Sequence, residues 1–312
     1  MSVLITGSIA YDTIMVFPDS FKNHIIPEKV HILNVCFLVP EMRKEFGGCA
    51  GNIAYNLNML GETSLPMATV GEDFKPYKKW LKKCGMNRQC IVEVRDTFTA
   101  QAYLTTDMDD NQIIAFHPGA MNHAHQTRIT DELDISLAII APDGKQAMIE
   151  HAEQLHQLGT PFFFDPGQGL PMFNAKELNH FIEIADFVVV NDYESEMLSK
   201  TTGLSVEQIA AKVDALIITR GAKGSEIYTG GKTIVIPAAP ISKAVDPTGC
   251  GDAFRAGLLY GVKHQLDWET SGRMAALLGA IKIEHHGTQN HSFTLTEFKA
   301  RYADSFGAEL IL

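Results

Sequence analysis

The chain has 312 residues, of which 46% are hydrophobic and 20% are charged, so it is long enough to bury a large core. Its formal net charge of −11 would repel a phosphate-rich polymer, which excludes nucleic acid as a partner. A small anion such as ATP is still compatible with this charge, because backbone donors and a cation can hold it locally.

The N-terminal stretch MSVLITGSIAYD contains no basic residue and ends in an acidic one. We therefore predict neither a secretion signal nor a membrane span. The 5 cysteines are an odd number and form no C-x-x-C pair. This usage is typical of reduced thiols, so we expect a cytoplasmic protein without disulfides.

Short apolar runs recur along the chain and predict buried strands. Each is followed by a turn and helix-compatible sequence, and they lie at 2–7 (SVLITG), 137–141 (LAIIA), 161–165 (PFFFD), 186–190 (DFVVV) and 215–219 (ALIIT). Strands that are apolar on both faces and separated by helices indicate an α/β fold with a mostly parallel sheet covered on both sides. Ligands of such sheets bind beyond the carboxyl ends of the strands, where we expect Asp165, Asn191 and Thr219 to cluster.

Two segments, at 13–45 and at about 91–118, interrupt this alternation. The first contains the β-type run VHILNVCFLV, and the second contains AQAYLTTD and NQIIAFHP joined across the turn-forming stretch DMDDN. We predict that they form a small sheet projecting from the main body of a single domain spanning 1–312.

The stretch FGGCAGNIAYNLNMLG at 46–61 begins with paired glycines and continues as an amphipathic helix. A bare backbone at Gly48 would let a ligand approach closely, and the Asn52 amide could both donate to and accept from a hydroxyl. Asp12, after the first strand, could accept two hydrogen bonds from a vicinal diol. The plainer alternatives are a loop at the glycines, a capping role for Asn52 and an exposed turn at Asp12.

The run DPTGCGDAFRAG at 246–257 passes from turn formers through a glycine-flanked step into a helix. The N–H groups of Gly249, Cys250 and Gly251 are predicted to point outward at the positive end of that helix and to cradle an anion. Asp252 then suits a base that takes a proton from a hydroxyl attacking a phosphoryl group. It should be a weak base, because the helix dipole favours the ionised carboxylate. The alternative for Asp252 alone is an ordinary N-cap.

These segments resemble the two signatures of the ribokinase (PfkB) family of carbohydrate and nucleoside kinases. The run at 246–257 is similar to D-T-x-G-A-G-D-x-F-x-x-G, apart from Pro247 and Cys250, and the run at 46–61 contains G-G-x-x-x-N-x-A. The resemblance extends from Asp12 to about Gln289. It implies a ribokinase-like three-layer α/β/α domain whose small β-sheet is a lid over the acceptor pocket.

The same resemblance implies roles for further residues. The segment NDYE is similar to an N-x-x-E motif, so Asn191 and Glu194 would orient hydrated Mg²⁺ and the triphosphate, and Asp165 could share this work through water. The run ITRGAKGSEIY resembles a nucleotide-binding T-x-G-x-x-G segment, with Thr219, Gly221 and Gly224 lining ATP; a plain hairpin is the alternative there. Several relatives bind an activating monovalent cation, K⁺, at positions similar to Asp246 and Thr248.

The acceptor implied by the resemblance is a nucleoside. Ala10 stands where sugar-specific ribokinases typically carry asparagine, a difference shared with adenosine kinases. On the lid, Gln101 and Phe116 are predicted to face the acceptor's base and Gln112 to face ATP.

We therefore predict an ATP- and Mg²⁺-dependent kinase of the ribonucleoside 5′-hydroxyl that acts as a monomer or as a homodimer joined through its lid. The alternatives are a kinase of a free sugar and a non-catalytic nucleoside-binding protein.

Overall fold

The structure is a computed structural model that describes residues 1–32, 34–109 and 111–312. Leu33 and Asp110, which fall in the predicted segments VHILNVCFLV and DMDDN, lie outside the described residues. The strands are β1 Ser2–Thr6, β2 Ala10–Val16, β3 Glu41–Gly47, β4 Ser64–Val70, β5 Ile91–Glu93, β6 Ala100–Thr106, β7 Gln112–His117, β8 Ile135–Ile140, β9 Phe162–Phe164, β10 Phe187–Asn191, β11 Ala215–Thr219, β12 Ser225–Thr229 and β13 Lys232–Ile236. The α-helices are α1 Cys49–Met59, α2 Lys75–Lys83, α3 Lys145–Leu158, α4 Ala175–Ile184, α5 Asp192–Thr202, α6 Val206–Ala210, α7 Cys250–Lys263, α8 Trp268–Ile283 and α9 Leu295–Phe306.

The large sheet has the strand order β13-β12-β11-β10-β9-β8-β1-β4-β5. Strands from β11 to β5 pair in parallel, whereas β12 and β13 form an antiparallel hairpin at one edge. All five predicted apolar runs are strands of this sheet, which confirms the predicted α/β class. The hairpin alternative for ITRGAKGSEIY is also confirmed in part, since its last residues lie in β12.

Two hydrophobic clusters cover the faces of the large sheet, because successive side chains of a strand point to opposite sides. Val3 and Ile5 pack into one cluster with α1, α2, α7, α8 and α9, while Leu4 packs into the other with α3, α4 and α5. The result is a three-layer α/β/α arrangement, as the resemblance implies. Within the described ranges, no helix is long and apolar enough to cross a membrane.

The small sheet has the order β3-β2-β6-β7, and β2 begins only three residues after β1 ends. The predicted strands AQAYLTTD and NQIIAFHP are confirmed as β6 and β7. Two predicted boundaries are wrong. Residues 91–93 form β5 and pair with β4 in the large sheet, and most of VHILNVCFLV is not a strand.

The described residues of the apolar run at 30–39 form no strand, and several of their apolar side chains are exposed. Its first residues belong to a 3₁₀ helix, Pro27–Ile32, and Val30, Ile32 and Leu38 are exposed. Phe37 packs against Phe17 and Phe21.

Candidate active site

A cavity of about 1050 Å³ lies between the carboxyl ends of the large sheet's strands and one face of the small sheet. From the large sheet and its loops it is lined by Ser8, Asp143, Asp165, Asn191, Glu194, Thr219 and Gly221. From the small sheet and the starts of α1 and α7 it is lined by Asp12, Ala102, Leu104, Ile114, Phe116, Gly48, Asn52, Thr248, Gly249, Gly251 and Asp252. The predicted cluster at the carboxyl ends of the strands is therefore present.

The glycine turn, residues 246–251, leads into α7. Gly249 is its N-cap, with φ 79°, and a Cβ there would lie 3.0 Å from the methyl group of Thr288. Within the described residues, the N–H groups of Gly249 and Gly251 have no acceptor, so they are free to bind an anion at the helix N-terminus. Cys250 differs from the prediction, because its N–H donates to the carbonyl of Pro247 at 3.2 Å.

Asp252 lies in the first turn of α7 and faces the cavity. Its Oδ2 accepts a hydrogen bond of 2.8 Å from Nδ2 of Asn52. Burial raises the pKa of Asp252 to about 6, against the opposing effects of that hydrogen bond and of Arg255. The expectation of a weak base needs correction: a helix dipole contributes about 0.3–1 kcal/mol, whereas a pKa rise of about two units corresponds to ~3 kcal/mol. Burial therefore outweighs the dipole.

Asn52 is held from both ends of its amide. Its Oδ1 accepts from Nε2 of Gln289 at 2.9 Å, and Gln289 in turn donates to the Tyr77 hydroxyl at 2.7 Å and accepts from Trp80 Nε1 at 2.8 Å. With one N–H on Asp252, the Asn52 amide has one N–H left for a ligand. Its Oδ1 also keeps a second lone pair, so the predicted donation to and acceptance from an acceptor hydroxyl stays a prediction, while the observed hydrogen bond orients Asp252.

Asp12 on β2 and Gly48 before α1 meet at the junction of the small sheet with the main body. Burial is the main cause that raises the pKa of Asp12 to about 6, and the charges of Asp252, Asp246 and Glu45 add to it. Gly48 has φ 87°, and a Cβ there would lie 2.5 Å from the Ser8 carbonyl oxygen. Only glycine allows this close approach of two backbone segments beside the Asp12 carboxylate.

Asp165 is not free to bind hydrated Mg²⁺. Its two carboxylate oxygens accept from Nε and Nη2 of Arg255, the latter at 2.7 Å, in a buried bidentate ion pair. Arg255 also donates to the Gly251 carbonyl at 3.1 Å. The pair therefore connects the first turn of α7 to the end of β9, which argues against the predicted role of Asp165 toward Mg²⁺.

Asn191 and Glu194 form a reciprocal capping box at the start of α5. The Asn191 side chain accepts from the Glu194 N–H, and Glu194 Oε2 accepts from the Asn191 N–H, both at 2.8 Å. Glu194 keeps one carboxylate oxygen without a partner in the described part of the chain and lines the cavity. In those same residues, no group of three or more His, Cys, Asp or Glu side chains could hold a metal ion. This donor set fits Mg²⁺ bound mainly by phosphate and water, with Glu194 nearby.

The predicted ATP segment divides into residues that face the cavity and one that does not. Thr219 and Gly221 line it at the carboxyl end of β11. Gly224 lies between β11 and β12, with its backbone against the carbonyl of Ile236 on β13. It does not line the cavity, which argues against its predicted contact with ATP.

Strand alternation decides which side chains of the small sheet face the cavity. Phe116 and Ala102 are paired across β6 and β7, and both line it; the contact of Phe116 with the acceptor's base stays a prediction. Gln101 lies on the opposite face, where it accepts from the Tyr103 hydroxyl at 2.8 Å. Gln112 lies at the far end of β7, bound to Thr106. Neither glutamine lines the cavity, so both predictions are wrong.

Protein groups donate hydrogen bonds to Asp246, one of the two residues predicted to bind a monovalent cation. The carboxylate of Asp246 accepts from the N–H groups of Thr248 and Gly287, each at 2.9 Å. The Asp246 carbonyl accepts from Nζ of Lys282 at 2.7 Å.

Sequence reasoning missed three groups at this site. Arg255 stands at a variable position of the run 246–257 and Gln289 lies in no motif, and the partners of both come from distant parts of the chain. Asp143 follows β8 just as Asp165 follows β9, so its position after a predicted strand was the available signal. It is 2% exposed, its Oδ2 has no partner in the described ranges, and burial raises its pKa to about 8.

The profile of the pfkB family of carbohydrate kinases matches residues 13–295. A nucleoside kinase from Methanocaldococcus jannaschii is 33% identical over 266 residues, which cover 85% of this chain and 87% of that protein.

The structure of Burkholderia thailandensis nucleoside kinase in complex with inosine superposes with a TM-score of 0.91 at 50% sequence identity and covers 99% of both chains. The same kinase in complex with ADP-inosine superposes with a TM-score of 0.88 at 51% identity, covering 99% of this chain and 97% of that one.

Proposed function

The chain belongs to the pfkB family of carbohydrate kinases, and on that premise we propose that it is an ATP-dependent nucleoside kinase that phosphorylates the 5′-hydroxyl of a ribonucleoside. The observation that carries this proposal is the position of Asp252. It faces the same cavity as Asp12 and lies next to the free N–H group of Gly251 at the start of α7. The cavity therefore contains a candidate base in Asp252, a candidate ligand for a diol in Asp12 and a candidate anion site at the Gly251 N–H.

The reaction assigns a task to each of these groups. The 5′-hydroxyl oxygen forms a bond to the γ-phosphorus while the bond from that phosphorus to the β–γ bridging oxygen breaks, and ADP leaves. Asp252 accepts the hydroxyl proton. The N–H groups of Gly249 and Gly251 stabilise the charge on the transferred group, and Asp12 and Gly48 hold the ribose in line.

Mg²⁺ fits this site as an ion carried by the triphosphate, with Glu194 as a carboxylate that lines the same cavity. When bound, it neutralises charge on the β- and γ-phosphates. Thr219 and Gly221 lie on the side of the cavity away from the small sheet, where they can contact the nucleotide.

A nucleoside acceptor suits the cavity better than a free pentose. Its wall on the small sheet is apolar, formed by Ala102, Leu104, Ile114 and Phe116. A base can stack and bury area there, whereas a free sugar has no group to place against it. The inosine bound to the Burkholderia thailandensis enzyme, at 50% identity, supports the same choice.

The alternatives are a free-sugar kinase and a non-catalytic nucleoside-binding protein. An intact base and anion site argue against the second. We propose further that the enzyme acts in the cytoplasm, which the absence of disulfides among its 5 free cysteines supports. A homodimer through the small sheet remains a prediction, supported by the exposed edge strand β7.

The test is an ADP-release assay with inosine, adenosine, guanosine and cytidine beside ribose, fructose and ribose 1-phosphate. We expect kcat/KM for the preferred nucleoside to exceed that for every sugar by at least about a hundredfold, or ~3 kcal/mol. Asp252→Asn should lower kcat by about a thousandfold or more and leave nucleoside affinity within a few fold. Preferred turnover of a sugar, or binding of nucleosides without ADP release, would replace the proposal with one of the alternatives.

A further inference from the structure

Lys282, in the last turn of α8, carries an ammonium group that is sealed inside the protein. The residue is 0% exposed. Its Nζ donates to the carbonyl oxygens of Asp246 at 2.7 Å and of His285 at 3.1 Å. Among the described residues, no carboxylate lies within salt-bridge distance of it. The charge is therefore held by backbone carbonyls, the ligands that a bare monovalent cation would use.

Those carbonyls belong to two loops that form one wall of the cavity. Asp246 begins the glycine turn, and His285 begins the loop that supplies Gly287 and Thr288. The two loops are joined by the bond from the Gly287 N–H to the Asp246 carboxylate and by the packing of Thr288 on Gly249. Lys282 lies beneath this junction and ties both loops to α8.

Burial makes this arrangement costly. Desolvation lowers the pKa of Lys282, and the nearest opposing influence is the charge of Asp246. A methionine has nearly the same length and would fill the same space without a charge to desolvate. A buried ammonium at this position therefore needs a reason beyond packing.

We propose that Lys282 is a built-in monovalent cation that positions the glycine turn. Its ammonium holds the Asp246 carbonyl inward, which fixes the direction of the Gly249 and Gly251 N–H groups, and its positive charge lies below the anion that these groups bind. Lys282 is a positioning residue, since it touches the turn and not the substrate. The proposal rests on the proposed kinase function, and it implies that added K⁺ is unnecessary.

The test compares the wild type with Lys282→Met and Lys282→Ala in K⁺, Na⁺, NH₄⁺ and methylammonium, with tetramethylammonium chloride holding ionic strength constant. We expect wild-type kcat to vary by less than about twofold among these cations. Lys282→Met should lower kcat by at least about tenfold with nucleoside affinity within a few fold. In Lys282→Ala, NH₄⁺, methylammonium or K⁺ should restore at least part of kcat in a saturable manner.

Lys263→Met is the matched control. Lys263 is also largely buried, on α7, but its ammonium binds Glu62 and the Met1 carbonyl, away from the glycine turn. It should lose stability without gaining any cation response. Unfolding curves and nucleoside affinity for each variant separate a misfolded protein from one that has lost only its glycine-turn geometry.

Three results would overturn the proposal: saturable activation of the wild type by K⁺, unchanged kcat in Lys282→Met, or a loss in Lys282→Ala that no small cation restores. Calorimetric titration of ATP in the absence of nucleoside gives a readout that does not depend on turnover, and we expect Lys282→Met to weaken ATP binding by about fivefold or more. If the wild type phosphorylates no nucleoside, the proposed function fails, while this titration still tests Lys282.

Discussion

At the scale of single residues, the site depends on carboxyl groups whose surroundings set their protonation. Asp252 and Asp12 both have a pKa raised to about 6 by burial, and the charge of Asp252 is one of the causes for Asp12. Groups coupled in this way titrate as a pair. A base with a pKa near 6 is ionised at neutral pH and still has useful affinity for a proton.

We expect kcat/KM to rise with pH through about 6 and then to level off, because the base must be ionised before it can accept a proton. The hydrogen bond from Asn52 stabilises the ionised form of Asp252. Asn52→Ala should therefore move the acid limb to higher pH by about one unit, in addition to lowering activity. The measurement is kcat/KM between pH 5 and 8.5. A limb that stays in place in Asn52→Ala would show that another group governs it.

At the scale of elements, the start of α1 connects the small sheet to the main body through glycines. Gly48 is strained for any other residue, with φ 87° and a backbone carbonyl 2.5 Å from where a Cβ would be. Gly61, at the other end of the helix region, has φ 78° but nothing within 4 Å of that position. Alanine substitutions at these two glycines therefore distinguish the cost of backbone strain alone from the cost of strain together with a steric clash.

We expect Gly48→Ala to lower the free energy of unfolding by at least about 3 kcal/mol and to raise KM for the nucleoside, because the clash displaces β2 or α1 beside Asp12. Gly61→Ala, which meets only the strain, should cost about 1 kcal/mol and leave KM unchanged. Urea unfolding and initial rates measure both. Equal effects of the two substitutions would contradict the close approach at Gly48.

Of the aromatic side chains Phe116 and Tyr103 on the small sheet, Phe116 lies on the face that lines the cavity. Phe116→Ala should raise KM for a nucleoside by about fivefold to twentyfold, since a stacked base contributes about 1–2 kcal/mol. Tyr103→Ala is its control, because Tyr103 is similarly exposed, at 43% against 51%, but lies on the other face. Initial-rate measurements over a range of nucleoside concentrations check both variants. A larger effect from Tyr103→Ala would place the acceptor elsewhere.

At the scale of the whole molecule, the buried carboxyl group of Asp143 makes the free energy of unfolding depend on pH. Asp143 has a pKa of about 8 in the folded protein, against an ordinary value of 3.8. The folded state therefore binds a proton more tightly than the unfolded state, and stability present at low pH is lost as pH rises toward 8.

Asp143→Asn removes this titration. We expect its free energy of unfolding, relative to the wild type, to rise by about 1–3 kcal/mol between pH 5 and pH 8. Chemical denaturation at several pH values measures this difference. A difference that does not change with pH would mean that Asp143 is ionised throughout the range, for instance because a cation or water satisfies its free oxygen.

The layered α/β fold and much of the site could be predicted because their signals are local. Apolar runs mark the strands, and Asp252 and Gly249 lie within one short motif. The predictions fail where the role of a side chain depends on contacts with residues that are distant in the chain. The sequence around Asp165 does not reveal its ion pair, because the partner Arg255 is 90 positions away in the chain. It also does not reveal which face of the small sheet Gln101 occupies, because the orientation of a strand's side chains depends on its register. Gln289 and Lys282 act through contacts that no motif records.

The short connection between β1 and β2 has a consequence for how ligands can be detected. Asp12 belongs to strand β2, which follows β1, an inner strand of the large sheet, after a connection of only three residues. The Ser8 N–H within that connection donates to the Pro142 carbonyl at 3.1 Å. We therefore expect β2 to unfold together with the large sheet. A bound nucleoside should stabilise the entire chain, by about 2.7 kcal/mol at a hundred times its Kd, so candidate acceptors at one fixed concentration could be ranked from melting curves before any turnover is assayed.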